Sequence, residues 1–169
     1  MEYVVLVVGI VSIVSILTST IYYGIGPMPA SKQAINAMLS CVGKQQDVYE
    51  LGAGFGGVAI RAAQRFPQKN IYAYEGSPLP FFICWLRALR YANLRVRLCN
   101  FERLDFVNGT CLLCYLSPVG MKRLSLSLSS WSGTLISYEF ALRPHTPTHT
   151  IELSDLYRSK VFSYQIVTA

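Results

Sequence analysis

Charge is scarce in this chain of 169 residues: Asp, Glu, Lys and Arg make up only 14% of it. No charged residue at all falls between Glu2 and Lys32. Histidine is almost missing, with His145 and His149 the only two. The five cysteines are an odd number and show no disulfide-like spacing. Cys111 and Cys114 form C-x-x-C inside the apolar run TCLLCYL. In a strand, alternation would send them to opposite faces. No second cysteine pair or nearby histidine completes a zinc set, so no metal site is expected. Buried, reduced thiols follow, and with them a reducing compartment. There is no internal repeat and no low-complexity tract. The length suits one modest domain plus an extra segment.

The charge that is present is basic, with a net +6 and a pI near 9.2. Such a balance suits nucleic acid or the anionic inner leaflet of a membrane. The basic residues do not form one run. Arg87, Arg90, Arg95, Arg97 and Arg103 are spread over an expected helix and the strand after it, which reads as a solvated face.

The uncharged N-terminal stretch, YVVLVVGIVSIVSILTSTIYY over Tyr3–Tyr23, has the length of a bilayer span at 1.5 Å per residue. Tyr22 and Tyr23 suit an interface. A signal peptide would want a basic start, and only Glu2 and the amino terminus precede the run. A helix this uniformly apolar is also hard to bury in so small a domain. A single-pass anchor over residues 1–23 is therefore expected. Residues 24–31, GIGPMPAS, form a linker, and residues 32–169 form the domain. Lys32 and Lys44, the first charges after the run, place that domain on the cytoplasmic side.

Within the domain, Asp47–Gly57 (DVYELGAGFGG) reads as a strand, a glycine-rich turn and the start of the helix VAIRAAQRF. Such a unit brings backbone N–H groups and a helix N-terminus against a ligand. Gly52, Gly54 and Gly57 satisfy G-x-G-x-x-G, which fits a dinucleotide site or a plain structural turn as well. Two carboxylates bear on the choice. Glu50 stands at the strand end, where a pyrophosphate would meet like charge and a cationic sulfonium ligand with an amino group would be welcome. Glu75 ends the next strand, IYAYE, where a carboxylate accepts ribose hydroxyls.

The rest of the chain alternates. Ser31 is expected to cap a helix to about Cys41, with Ala34, Ile35, Met38 and Leu39 on one face. Further helices are expected over PLPFFICWLRALRYA and over Gly120–Ser130. Strands are expected at Val48–Leu51, Ile71–Glu75, Arg95–Cys99, Cys111–Leu116 and Thr134–Phe140. Two more, about Thr148–Leu153 and Val161–Val167, are expected to form an antiparallel edge pair. The connection Asn100–Gly109 is too short and polar for a crossover helix. The pattern predicts an α/β, mostly parallel, Rossmann-like sheet.

The pattern E-x-G-x-G-x-G with a second Glu resembles the class I S-adenosylmethionine (SAM)-dependent methyltransferases. Four stretches narrow the resemblance: GPMPASKQAINAML; VYELGAGFGGVAIRAAQRFP with IYAYEGSPLP; CYLSPVGMKRL; and SYEFAL with IELSDLYRSKVFSYQI. Together they resemble the small membrane-anchored enzymes that include the lysine methyltransferases of the ATP synthase c subunit and their short bacterial relatives. The likeness covers roughly Gly26–Tyr164.

The resemblance implies SAM as cofactor. It implies that Glu50, Gly52, Ala53, Gly54 and Gly56 hold its methionine end and that Glu75 takes the ribose. It places Asn100 and Phe101 at the adenine, although relatives usually carry an acidic residue where Asn100 stands. Phe55 also departs, standing where many relatives carry Asp or another polar residue. The loop FALRPHTP has His145-Thr146 where relatives often show Trp.

An amine acceptor must lose a proton before it attacks, and a desolvated channel helps because it lowers the amine pKa. Tyr115, Leu116, Ser117 and Pro118 follow the fourth strand and are the candidates for that channel, with Tyr115, Ser117 and Pro118 taken as catalytic. Tyr115 or Glu139 would orient the amine; a core aromatic and a strand-end salt bridge are the plainer roles of those two. The implied acceptor is a lysine of a membrane or membrane-associated protein. The tetrapeptide YLSP differs from the (D/N)PP(Y/F) type of nucleic-acid amino-methylating enzymes, so no nucleic acid is expected. A small molecule, a lipid or RNA as acceptor, and a non-catalytic scaffold on the membrane, are the alternatives.

Overall fold

A computed structural model describes residues 28–44 and 46–168, together with Met1 and Tyr3. Apart from Tyr3, the run Tyr3–Tyr23 lies outside the described residues. Among the described residues no helix is long and apolar enough to cross a membrane.

Seven strands form one sheet: β1 (Val48–Leu51), β2 (Ile71–Glu75), β3 (Leu94–Leu98), β4 (Cys111–Cys114), β5 (Gly133–Tyr138), β6 (His149–Glu152) and β7 (Lys160–Ile166). Their order is β3-β2-β1-β4-β5-β7-β6. The first five are parallel. β7 inserts antiparallel between β5 and β6. The edge pair expected from the sequence is present, and its joining to the sheet through β7 is the added fact. β1, β4 and β5 are covered on both sides, which is why VYEL, CLLC and GTLISY carry so little polarity.

Among the described residues four helices pack on the sheet: α1 (Lys32–Ser40), α2 (Gly57–Arg65), α3 (Pro78–Ala88) and α4 (Pro118–Ser127). The Ser31 hydroxyl accepts the Ala34 amide at 3.1 Å, the expected N-cap, and Ala34, Ile35, Met38 and Leu39 are buried. Residues of α1, α2 and α3 share one core with Val48, Ile71, Leu94, Leu113 and Ile136. Met121 and Leu124 of α4 share the other with Leu51, Leu112 and Leu135. Cys111 belongs to the first core and Cys114 to the second, as alternation requires. All five thiols are free. Burial pushes Cys84 and Cys111 up to about 12 and Cys114 up as well, so these three stay protonated at neutral pH.

Several boundaries differ from expectation: the helix from Pro78 ends at Ala88 rather than Ala92, β3 and β5 each start one residue earlier, and two further shifts bear on the site. β4 ends at Cys114 rather than Leu116, and α4 begins at Pro118 rather than Gly120. Ser117 caps α4 through its hydroxyl, which accepts the Gly120 amide at 3.1 Å, and proline suits the first helical position. Tyr115 and Leu116 therefore lie on a loop. Between β3 and β4 the chain makes only the 3₁₀ turn Phe101–Arg103 before returning to the sheet centre. Because β2 and β4 flank β1 on opposite sides, a crevice opens at the carboxyl ends of β1 and β4.

Candidate active site

The crevice is built from the glycine loop upward. Gly52 (φ 74°) and Gly54 (φ 54°) take left-handed conformations that a side chain resists. The Gly52 and Ala53 amides both donate to the Tyr74 carbonyl, at 2.9 and 3.0 Å, which ties the loop to the end of β2. A Cβ on Gly52 would come within 2.9 Å of Leu116 Cδ2, whereas one on Gly54 would meet nothing within 4 Å. Gly52 is thus a close approach between loops, and Gly54 leaves open space. Gly56 (φ 81°) serves differently: it caps α2, and a Cβ there would sit 2.6 Å from Cys84 Sγ.

Glu75 is buried and already holds two amides. Its Oε2 accepts the Gly54 N–H and its Oε1 the Ser77 N–H, both at 2.7 Å. Each oxygen retains a further lone pair. Glu50 is 5% exposed, and its Oε2 has no hydrogen-bond partner. Burial pushes its carboxyl up to about 8, against the Ala59 backbone bond, which lowers it, and with the nearby Glu75 charge raising it further. A buried acceptor left empty-handed is uncommon in a native fold and marks a place where a donor is missing.

These groups meet in one cleft of about 320 Å³, within the range of small-molecule sites. Of the residues read from the sequence, Glu50, Gly52, Ala53, Gly54 and Glu75 line it. Asn100 and Phe101 line it from the β3 side, and Tyr115 and Ser117 from the β4 side. Gly56 and Pro118, also read from the sequence, stand outside it. Gly56 does not line the cleft because its position is taken up with Cys84, and Pro118 is exposed at the start of α4, outside the lining.

Sequence reasoning misses Met28, Pro29 and Ala30, which line the cleft from the expected linker. It also misses Arg87, which lines the cleft while its Nη1 donates to the Phe55 carbonyl. Leu116 and Gly120 line it too. Proline between Met28 and Ala30 carries no signal for the first group; Arg87, nine residues past the proline that opens α3 and with no acid near it in the chain apart from Glu75, carries only a weak one.

Asn100 spends its side-chain oxygen on the Glu102 amide at 3.1 Å, capping the 3₁₀ turn. Tyr115 packs on Tyr138 with ring centroids 4.6 Å apart. Burial, Tyr138 and Glu139, in that order, push the Tyr115 phenol above its ordinary value, so it is a neutral donor near pH 7. Glu139 forms no ion pair among the described residues and does not line the cleft. Instead it has φ 69° at the end of β5, where the Phe140 amide turns back to the Tyr138 carbonyl at 2.9 Å. That tight turn replaces the expected salt bridge. His145 and His149 are exposed, as expected. No group of His, Cys, Asp and Glu suited to a metal occurs among the described residues.

No protein-family profile matches the chain, and no curated protein matches it. Solved structures do. An RNA methyltransferase from Salinibacter ruber, in complex with S-adenosyl-L-homocysteine, superposes with a TM-score of 0.73 at 22% identity, over 82% of this chain and 94% of that one. TrmK of M. capricolum, bound to S-adenosyl-homocysteine, gives 0.61 at 10% identity over 82% of this chain and 69% of that one. The mycolic acid cyclopropane synthase CmaA1, complexed with SAH, gives 0.51 at 17% identity; this chain spans 41% of its length. The seven-stranded, mixed, Rossmann-like sheet is therefore a fold this chain shares with those solved structures.

Proposed function

We propose that this chain is a SAM-dependent methyltransferase whose acceptor is a lysine side chain on a protein at the membrane. The observation that carries the cofactor assignment is the buried, partnerless Glu50 Oε2 beside the glycine loop. The donor set fits: SAM offers Glu50 an ammonium and a nearby sulfonium, and the open space at Gly54 admits its chain. Neighbours of the same fold, crystallised with the demethylated product, support the same reading.

Bound SAM supplies an electrophilic methyl group. Glu50 and the Gly52–Gly54 backbone would hold the methionine end. The spare lone pairs of Glu75 would accept the ribose hydroxyls. Asn100, its oxygen shared with Glu102, and Phe101 would flank the adenine. A lysine arrives as a cation with a pKa near 10.4. Desolvation between Tyr115 and Leu116 would lower it, and the neutral Tyr115 hydroxyl would orient the amine. Ser117 would shape the entrance through its cap on α4. Positioning and desolvation are what the residues have to contribute.

The membrane part rests on the sequence: a run of bilayer length and a linker of eight residues confine the site to the surface. The catalytic domain would face the cytoplasm. RNA is the second reading, favoured by the fold likeness to an RNA methyltransferase and the net charge of +6. The full-length protein, incubated with labelled SAM and either source membranes or total RNA, decides between them. Label that protease releases and that maps to methyl-lysine supports the proposal. Label confined to RNA, quinone or lipid overturns the acceptor, and no SAM binding by calorimetry overturns the enzyme.

A further inference from the structure

The outer face of α3 is apolar and lacks a partner among the described residues. Phe82, Trp85, Leu86 and Leu89 are 40–65% exposed, and Leu98 of the neighbouring edge strand β3 is exposed with them. The Phe82 and Trp85 rings lie 6.1 Å apart on this face. Arg87 and Arg90 are exposed on the same helix and its end, and with Arg61 of α2 they line the adjoining groove. Among the described residues no carboxylate pairs with these arginines, and between Leu51 and Phe101 the one acidic residue in the sequence is Glu75, which is buried.

We propose that this face is a membrane-docking surface, with α3 lying in the interface of an anionic bilayer. Large apolar side chains would enter the acyl boundary and the arginines would meet anionic headgroups. Aromatic residues with both an apolar body and an amphipathic edge, such as Trp85, favour that level. Other occupants fit the charge less well. The chain's own N-terminal run has no carboxylate between Glu2 and Asp47 to match the arginines. A second copy would set arginine against arginine. RNA would answer the arginines but leave Leu86 and Leu89 in water.

Chain length agrees. Met28 lines the same cleft as Pro80 and Arg87 of α3. The apolar run ends at Tyr23, and five residues reach at most about 18 Å. A bilayer holding that run is thus within reach of the cleft mouth beside α3. The proposal goes beyond the methyl-transfer reading and does not depend on which acceptor is used.

The two tryptophans make it testable. Trp85 is 40% exposed and Trp131 only 2%, so the emission lost in Trp85→Phe belongs to the α3 face. The full chain is reconstituted into phosphatidylcholine–phosphatidylglycerol vesicles whose acyl chains are brominated near the headgroup. The expected result is quenching of Trp85 emission that weakens without phosphatidylglycerol or at high salt. The double variant Leu86→Glu, Leu89→Glu should lose the quenching while the near-ultraviolet circular dichroism of buried Trp131 persists. Trp85 emission indifferent to brominated lipid overturns the proposal. So does emission that responds to a single-stranded oligoribonucleotide instead, or emission already shielded from acrylamide in detergent, which would mean that protein covers the face.

Discussion

The Glu75 carboxylate holds the Gly54 amide at 2.7 Å, so the acid at the end of β2 fixes the turn after β1. The same carboxylate takes the Ser77 amide that opens α3. The turn after β1, the end of β2 and the start of α3 are thus pinned by one side chain that also lines the cleft.

Replacing Glu75 should accordingly do two things at once. Glu75→Ala leaves two amides without their acceptor, at a cost of about 1–3 kcal/mol in stability. It should also weaken SAM binding by roughly 1.5–3 kcal/mol, the range for hydrogen bonds to charged groups. Denaturant melts and calorimetry on the same preparation separate the two. A folded variant with unchanged affinity would show that Glu75 is only a clamp.

The glycines should separate cofactor space from packing. Gly54→Ala strains a left-handed position by about 1–2 kcal/mol, and its methyl enters the open cleft, so SAM affinity should fall more than stability does. Gly56→Ala drives a methyl to 2.6 Å from Cys84 Sγ, so stability should fall while the folded fraction binds SAM normally. The opposite pattern in paired melts and titrations would reverse the roles given to these residues.

Glu50 predicts a pH dependence. Its folded pKa, pushed up to about 8, lies above that of the unfolded chain. Between the two values the unfolded state binds fewer protons, so Glu50 makes the ligand-free protein less stable as pH rises through that window. Glu50→Gln should become the more stable protein from about pH 5 upward, gaining at most about 1.4 kcal/mol per pH unit, and level off near pH 8. SAM binding needs the ionised form, so at pH 7 it should release a proton, seen as a buffer-dependent binding enthalpy. Glu50→Gln should lose both the proton release and most of the affinity. A buffer-independent enthalpy in the native protein would place Glu50 outside the cofactor contact.

Tyr115→Phe tests the channel. The ring and its packing on Tyr138 survive, so stability and SAM affinity should change little. Turnover should fall by at least about tenfold if the hydroxyl orients the acceptor, below the span usual for a direct proton-transfer group. Unaltered turnover would return Tyr115 to the role of a core aromatic.

What the chain's local order determined is what local physics controls. A strand, glycines that permit left-handed turns, a helix after them and a carboxylate on either strand end are contiguous features, so β1, α2, Glu50 and Glu75 were legible as the frame of the cleft. Ser31 as a cap and Cys111 and Cys114 on opposite faces follow from hydrogen-bond reach and strand alternation. The tertiary structure decided the rest, because it depends on contacts between residues far apart in the chain. Gly54 and Gly56 are the same residue in the same loop, and only the placement of Cys84 makes one a packing contact while the other faces open space. Met28–Ala30 and Arg87 reach the cleft because the sheet order brings the start of α1 and the end of α3 to the same crevice. β7 lies between β5 and β6 because β5 had a free edge to pair, a choice no single strand encodes.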